Sequence, residues 1–303
     1  MNKEKFFTEI KDSLPQLTVL LDEPMAKHIS FRVGGPADLL IVPQTEEEII
    51  ATLKLTKKFD MPLTVLGNGS NVLVKDKGIR GVVLKMGGGL SFVNVQEDVL
   101  SCAAGVLLSS AANAAADAGL SGLEFAGGIP GSVGGGVFMN AGAYNGELKD
   151  VIFDASAIDL AGNQYTLPVD KLNLCYRNSI FADNGHIITN VRFKLTNGDK
   201  QGIKDKIAEF NKKRSDKQPL NLPSAGSTFK RPEGSYASKL IDEAGLRGFM
   251  VGGAQVSEKH AGFIVNKDKA TADDILRLIE AVQEKVKKQF GIDLQTEVKI
   301  LGE

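Results

Sequence analysis

Residues 125–144, Phe-Ala-Gly-Gly-Ile-Pro-Gly-Ser-Val-Gly-Gly-Gly-Val-Phe-Met-Asn-Ala-Gly-Ala-Tyr, place six glycines in the ten positions from Gly127 to Gly136. Glycine loses the most backbone entropy on folding, so such a run is unfavourable inside a helix or strand. What it permits is close approach: successive main-chain N–H groups can turn inward and cradle an anionic oxygen. Pro130 fixes φ within the turn, and Ser132 adds a hydroxyl donor. The plain alternative is a flexible Gly-rich linker. Against it, Phe125, Ile129, Val133, Val137 and Phe138 are threaded through the stretch, and a linker has no use for apolar side chains. The stretch reads as a packed diphosphate cradle.

Working outward, two more small-residue turns share this chemistry, Arg32-Val-Gly-Gly35 and Gly67-Asn-Gly-Ser-Asn71. Each is a weak signal alone; together with the central loop they suggest a dinucleotide held by loops. No Gly-x-Gly-x-x-Gly follows a strand and no Walker A sequence is present, which disfavours a Rossmann or P-loop site. Ser132 lacks the Gly-x-Ser-x-Gly elbow of a nucleophilic serine.

The surrounding chain is that of an ordinary globular protein: 303 residues, 43% hydrophobic, net charge −1. Nothing in that balance points to nucleic acid or a membrane. Two cysteines, Cys102 and Cys175, are too few for a disulfide framework and fit a reducing compartment; Cys175 reads as a packing residue. His28, His186 and His260 are scattered, whereas a metal site wants clustered ligands, so no metal is expected. The charged N-terminus lacks a signal-like apolar core and no apolar run approaches a membrane span. A soluble cytoplasmic protein is expected.

Periodicity predicts helices over 3–14, from a Thr45–Glu48 capping box to about Phe59, over about ten Ala-rich residues ending near Gly119, after Asp199, and from Thr271 to Phe290. Strands are predicted at 39–42, 63–66, 72–74 and 81–86, as a pair within 92–104, as a hairpin over 151–160 and 163–167, at 187–195 and at 294–301. In the last strand Leu294, Thr296, Val298 and Ile300 share one face. A boundary is expected at 196–199. Beyond it, seven Lys/Arg against four Asp/Glu between Asp199 and Lys217 make a locally basic helix, which by itself reads as a solvated helix.

Six segments in chain order carry a resemblance. They are Phe31-Arg-Val-Gly-Gly-Pro-Ala37, Leu66-Gly-Asn-Gly-Ser-Asn-Val-Leu-Val74, Gly127-Gly-Ile-Pro-Gly-Ser-Val-Gly-Gly135, Tyr176-Arg-Asn-Ser179, Ala225-Gly-Ser-Thr-Phe-Lys230, and Glu297. From about Met25 to Leu301 the chain resembles the UDP-N-acetylenolpyruvoylglucosamine reductase family, flavoenzymes that complete UDP-N-acetylmuramic acid for peptidoglycan. The resemblance implies an α+β chain: an FAD-binding fold of the vanillyl-alcohol oxidase (PCMH) type in two subdomains, 1–90 and 91–199, plus a C-terminal α+β substrate domain, 200–303. It assigns FAD contacts to Arg32, Gly34, Gly35, Gly67, Asn68, Gly69, Ser70 and Asn71. It adds Gly127, Gly128, Ile129, Pro130, Gly131, Ser132, Gly134, Gly135 and Ile188. Relatives of this fold often attach flavin through a histidine beside the Arg-x-Gly-Gly turn. Pro36 stands there, so non-covalent FAD is expected.

The reaction implied by the resemblance adds hydride and a proton across an enolpyruvyl double bond, with NADPH as the hydride source and FAD as carrier. Hydride at the β-carbon leaves an enolate of the substrate carboxylate, and the α-carbon must then be protonated. By resemblance Arg177 binds the carboxylate or enolate, Glu297 is the acidic partner and Ser227 donates the proton. On their residues alone the three read as a surface salt-bridge arginine, an exposed strand glutamate and a turn serine. Tyr176, Lys217, Lys230 and Arg231 are the implied contacts to the substrate, UDP-N-acetylglucosamine enolpyruvate. Between Arg177 and Ser227 the path is short and holds no tyrosine, which resembles the shorter type of the family, lacking a tyrosine-bearing insert that closes over substrate in other members.

Overall fold

The computed structural model describes residues 3–303. Contacts divide the chain into two compact units, each built from separated segments: Met1–Leu21, Leu39–Asn68 and Gly81–Lys213 form one, and Asp22–Asp38, Gly69–Arg80 and Arg214–Glu303 the other. Contiguous boundaries such as 1–90, 91–199 and 200–303 therefore differ from the compact units, because long-range pairing decides which segments belong together.

A four-stranded sheet, most of whose residues fall in the first unit, runs in the order Thr18–Pro24, Pro36–Val42, Ile79–Lys85, Leu63–Leu66. Its last pair is parallel, from Leu63 opposite Val82 to Leu66 opposite Lys85. Helices Lys3–Ser13 and Glu46–Lys58 accompany it, and Phe6 meets the edge of Phe59 with ring centroids 5.9 Å apart. Thr45 Oγ1 accepts the Glu48 N–H as expected, but the Glu48 carboxylate reaches Gln44 N at 2.6 Å, one residue short of the Thr45 N–H that a full capping box would use.

A five-stranded antiparallel sheet completes this unit, in the order Gln164–Pro168, Ile152–Ile158, Ile187–Lys194, Val99–Ala103, Val93–Gln96. The Ala-rich helix is Leu108–Asp117, with Ala111, Ala112, Ala115 and Ala116 buried. These small side chains let neighbouring backbone come close. One continuous hydrophobic core extends from Phe6 to Ile207. The lysine-rich helix Lys200–Lys217 buries Ile203 and Ile207, so it is half core element and half solvated face.

The second unit has an antiparallel sheet ordered Ser224–Ser227, Phe263–Asn266, Ala254–Val256, Met250–Val251. The helix Ala272–Phe290 buries Ile275, Leu278, Ile279, Val282 and Val286, each aliphatic side chain contributing roughly 1.5–3 kcal/mol. Thr271 and Asp274 form a capping box. Asp76 adds a second cap, accepting the N–H groups of Ala272 and Asp273 at 2.9 Å each. Lys299–Leu301 pairs in parallel with Val72–Val74. These two connections place segment 69–80 with the C-terminal residues.

The final strand is shorter than the 294–301 expectation. Phe229 bridges Thr296, and only Lys299–Leu301 is a strand, on a different partner. The switch of partners breaks the alternation: Leu294 and Val298 are buried, whereas Ile300 is 38% exposed. Among the described residues no helix is long and apolar enough to cross a membrane.

Candidate active site

The central glycine stretch is not wholly a loop. Val133–Phe138 is a short helix containing Gly134, Gly135 and Gly136, capped by Ser132, whose Oγ accepts the Gly135 N–H at 3.3 Å. Glycine is tolerated there because the helix lies against other backbone. A Cβ on Gly134 would sit 2.8 Å from Ala104 Cβ, and one on Gly136 would sit 2.9 Å from Leu148 Cδ1 and 3.0 Å from Leu108 Cδ1. A Cβ on Gly127 would meet Ile207 Cγ2 at 2.8 Å. Packing against protein thus requires glycine at these three positions, of which the resemblance assigns Gly127 and Gly134 to FAD.

The donors divide in the same way. Val133 N–H goes to Val106 O (2.7 Å), Gly134 N–H to Ala104 O (2.9 Å) and Gly136 N–H to Ser132 O (2.8 Å). These three N–H groups of the helix are therefore already paired within the protein. The N–H groups of Gly128, Gly131 and Ser132 have no hydrogen-bond partner among the described residues, and exposed Pro130 lies between them. Asn68 fixes this part of the loop by donating its Nδ2 to Pro130 O at 2.6 Å, and Gly67 comes so near that a Cβ would lie 2.6 Å from Ser132 Oγ. Main-chain donors left unpaired on a stiffened loop suit an anionic group such as the diphosphate of FAD. Ile188 is buried in strand Ile187–Lys194. The next residue, Thr189, accepts the Ala104 N–H at 2.8 Å.

In the second unit the other small-residue turns pack on one another. A Cβ on Gly34, at φ +110°, would meet Val74 O at 2.8 Å, and one on Gly35 would meet Asp76 O at 2.1 Å. Gly69, at φ +66°, lies against His28 O, and its own carbonyl accepts the Ser30 N–H at 3.0 Å. Arg32 is exposed and left-handed at φ +56°. Half-buried Ser70 and Asn71 follow, and Asn71 Nδ2 donates to Glu297 O at 3.2 Å.

Arg177 occupies the second position of a two-residue hairpin loop. Cys175 and Asn178 exchange N–H···O bonds of 3.2 Å on either side of it. Its φ of +57° is a left-handed conformation that costs a non-glycine residue about 1–2 kcal/mol. Its guanidinium lies over the Tyr176 ring, 5.2 Å from the centroid. Cys175 is exposed rather than packed, because its carbonyl and N–H, not its thiol, are the groups the hairpin uses. Ser179 is fully buried, and its hydroxyl donates to Phe138 O at 2.8 Å. The sequence reading quoted Ser179 in a motif but gave it no role.

Ser227 is exposed at the end of strand Ser224–Ser227. The pairing shifts between Ser224–Val265 and Ser227–Phe263, and Gly226 stands at φ +77°. This is a bulge: one extra residue turns the following side chain out of the sheet pattern. Buried Thr228 anchors it, giving its N–H to Gly262 O (2.9 Å) and accepting the Ile264 N–H on Oγ1 (3.1 Å). The Glu297 N–H donates to Thr228 O at 2.8 Å, so the two predicted catalytic groups flank one anchor. Lys230 N–H goes to Gln295 O at 2.8 Å. Arg231 stacks 4.0 Å from the centroid of Tyr236, an exposed ring the sequence reading passed over.

Lys217 ends the lysine-rich helix, beside Gln218, whose Oε1 is buried without a partner among the described residues. His260, read from sequence as scattered, shortly precedes strand Phe263–Asn266, which pairs with Ser224–Ser227. Its Nδ1 accepts the Gly262 N–H at 3.2 Å, and its ring meets the Phe263 ring at 4.9 Å. Burial, and then the cations Arg247 and Lys217, hold its pKa below the ordinary 6.5. Burial pushes the Cys102 thiol up to about 12.

Comparison with known proteins identifies the family of the chain. An FAD binding domain model matches residues 37–167, and a model of the C-terminal domain of UDP-N-acetylenolpyruvoylglucosamine reductase matches residues 218–301. A flavin-binding domain joined to a reductase C-terminal domain defines the chain as an FAD-dependent oxidoreductase. The UDP-N-acetylenolpyruvoylglucosamine reductase of Agathobacter rectalis is 53% identical over 312 residues, covering 99% of each chain. That of Clostridium botulinum is 52% identical over 304 residues, covering 100% of this chain and 99% of its own. The crystal structure of the Thermus caldophilus enzyme superposes with a TM-score of 0.82 at 36% identity, over 95% of this chain and 99% of its own. The chain belongs to the UDP-N-acetylenolpyruvoylglucosamine reductase family.

Proposed function

We propose that this protein catalyses the NADPH-dependent reduction of the enolpyruvyl ether of UDP-N-acetylglucosamine enolpyruvate to UDP-N-acetylmuramate, in the cytoplasm, as a step of peptidoglycan precursor synthesis. The observation that carries the reading is Ser227 set on a bulge and joined to Glu297 through Thr228, within a chain whose full-length relatives are named for this reaction.

Bound FAD, held non-covalently, would supply hydride taken from NADPH. Gly128, Gly131 and Ser132 would give their free N–H groups to its diphosphate, and residues 1–90 and 91–199 would serve as its two subdomains. Residues 200–303 would hold the sugar nucleotide, with Lys217, Lys230 and Arg231 toward its anionic groups and Tyr176 beside it. Arg177 has a planar fork that matches a carboxylate and stabilises it as enolate character grows. The Ser227 hydroxyl would give its proton to the α-carbon, and the Glu297 carboxylate would polarise the developing enol. The short path from Arg177 to Ser227, which holds no tyrosine, supports the type lacking the tyrosine-bearing insert.

The test is an anaerobic experiment in two steps. NADPH should bleach the flavin, and the enolpyruvyl sugar nucleotide should restore its colour with one product formed per flavin. Colour restored by oxygen but not by that substrate would overturn the reading in favour of an oxidase.

A further inference from the structure

Asn140, immediately after the glycine helix, is 1% exposed and stands at φ +43°. Its amide is fully used. Nδ2 donates to Glu147 Oε2 at 2.7 Å and to Cys175 O at 3.2 Å, while Oδ1 accepts the Lys149 N–H at 3.0 Å. One side chain thereby joins the end of the glycine helix, the 147–149 turn and the first residue of the Arg177 hairpin.

A second latch works on the other side of the same hairpin. Ser179 starts the helix Ile180–Asn184 at the position where a serine oxygen ordinarily accepts a helix N–H. No such cap bond forms; the hydroxyl instead donates to Phe138 O at 2.8 Å. Residues 138 and 140 therefore hold residues 179 and 175, and Arg177 is presented between two fixed points. A left-handed arginine persists only where its surroundings over-determine it, and these two bonds supply that constraint.

We propose that Asn140 is a positioning residue for Arg177, locking the Tyr176–Arg177 hairpin to the glycine helix so that the guanidinium is held where the substrate carboxylate binds. The inference rests on the role given to Arg177 above. It assigns Asn140 no contact with substrate or flavin. Its amide is required because the site needs two donors facing a carboxylate oxygen and a carbonyl, and one acceptor facing an N–H. Among uncharged side chains short enough for this turn and tolerant of positive φ, asparagine alone offers that set.

Two variants keep the left-handed backbone available. Asn140→Gly removes the amide. Asn140→Asp keeps the acceptor for Lys149 but turns an oxygen toward Glu147 Oε2 and Cys175 O. In Asn140→Gly the NADPH-driven step should stay within about two-fold of wild type, and the substrate-driven step should slow roughly 10–10²-fold, the order expected for a misplaced group. Amide exchange at Cys175 and Asn178 should accelerate, a readout that needs no turnover. In an Arg177→Lys background the same change should cost less than two-fold more, because both act through one guanidinium. Asn140→Asp should slow the substrate-driven step alone, because one O–H at most replaces the two amide donors and an oxygen still faces Cys175 O or Glu147 Oε2.

Equal slowing of both steps, a loss that multiplies with Arg177→Lys, or unchanged exchange at the hairpin would overturn the proposal. Should Asn140→Gly fail to fold, Asn140→Asp decides: equal slowing of both steps, or no folded protein, makes Asn140 a folding residue only. A near-normal substrate step in Arg177→Lys alone would instead overturn the role of Arg177, so the two failures are distinguishable.

Discussion

The Glu297 N–H meets the Thr228 carbonyl oxygen at 2.8 Å, which ties the carboxylate-bearing residue to the main chain one residue from the Ser227 hydroxyl. Thr228 is buried and bonded on three sides, so the bulge is fixed by its neighbour and the Ser227 side chain bears no structural burden. Ser227→Ala should therefore fold normally. Taking hydride from NADPH needs no proton from Ser227, and flavin bleaching should be unchanged. Restoration of colour by substrate should fall ~10²–10⁴-fold, the usual contribution of a positioned general acid. Stopped-flow traces of the two steps check this; equal effects on both would return Ser227 to a turn residue.

Glu297→Gln should act on the same step for a different reason. The main chain at Glu297 is held by Thr228 and Asn71, so the substitution leaves the backbone in place and removes only charge. Turnover should drop although the protein still folds, because the main-chain bonds to Thr228 and Asn71 do not involve the carboxylate. Turnover near wild type would remove the carboxylate from the reaction.

Neighbouring glycines should behave differently. A side chain at Gly134 must displace Ala104, whose Cβ is 2.8 Å from the position its own Cβ would take, whereas at Gly135 the nearest atom is Ser132 Oγ at 3.1 Å. Gly134→Val should yield little folded protein. Gly135→Ala should fold but disturb the Ser132 hydroxyl, lowering the flavin-to-protein absorbance ratio after gel filtration. Folded, fully flavinated Gly134→Val would show that this contact yields more easily than a packed core does.

That contrast marks where the sequence was legible. The motifs at 31–37, 66–74, 127–135, 176–179 and 225–230 each fall on a turn, a helix start or a bulge, because glycine, asparagine and serine state their local geometry in their own chemistry. What each glycine touches was not legible, since Ala104, Leu108 and Ile207 lie far along the chain. The helices Glu46–Lys58 and Ala272–Phe290 announce themselves by cap and period, but Asp76 capping Ala272 and Asp273 is a 196-residue separation no local pattern encodes. The last strand misled for the same reason: its alternation holds only while one partner is paired, and it changes partner.

The two cysteines should separate on a thiol titration. Cys102 is buried with its pKa pushed up to about 12, and Cys175 is exposed. A disulfide reagent should label one thiol in the native protein and two after denaturation, because the thiolate is the reactive species. Mapping the native label to Cys102 would contradict the core described here.

His260 sets a pH dependence of stability whose sign can be worked out. The Gly262 N–H donates to Nδ1, so the neutral ring carries its proton on Nε2, and a second proton would put N–H against N–H. Burial opposes that charge first, and the Arg247 and Lys217 cations oppose it further, so the folded pKa lies below the ordinary 6.5. A depressed folded value means that the unfolded chain takes up the proton first. The stabilisation is present in full above the ordinary value and is lost as pH falls from there through the folded one. Wild type should therefore lose thermal midpoint more steeply than His260→Asn, which cannot titrate, as pH falls below about 6.5. The Asn variant starts lower at pH 7, because the Gly262 turn loses its ring partner, and the two curves converge as the wild-type imidazole charges. Since Gly262 O accepts the Thr228 N–H, the substrate-driven step should weaken over the same window in wild type while flavin reduction does not. Parallel stability curves for the two proteins would place the ring in solvent-like surroundings and detach it from the Ser227 strand.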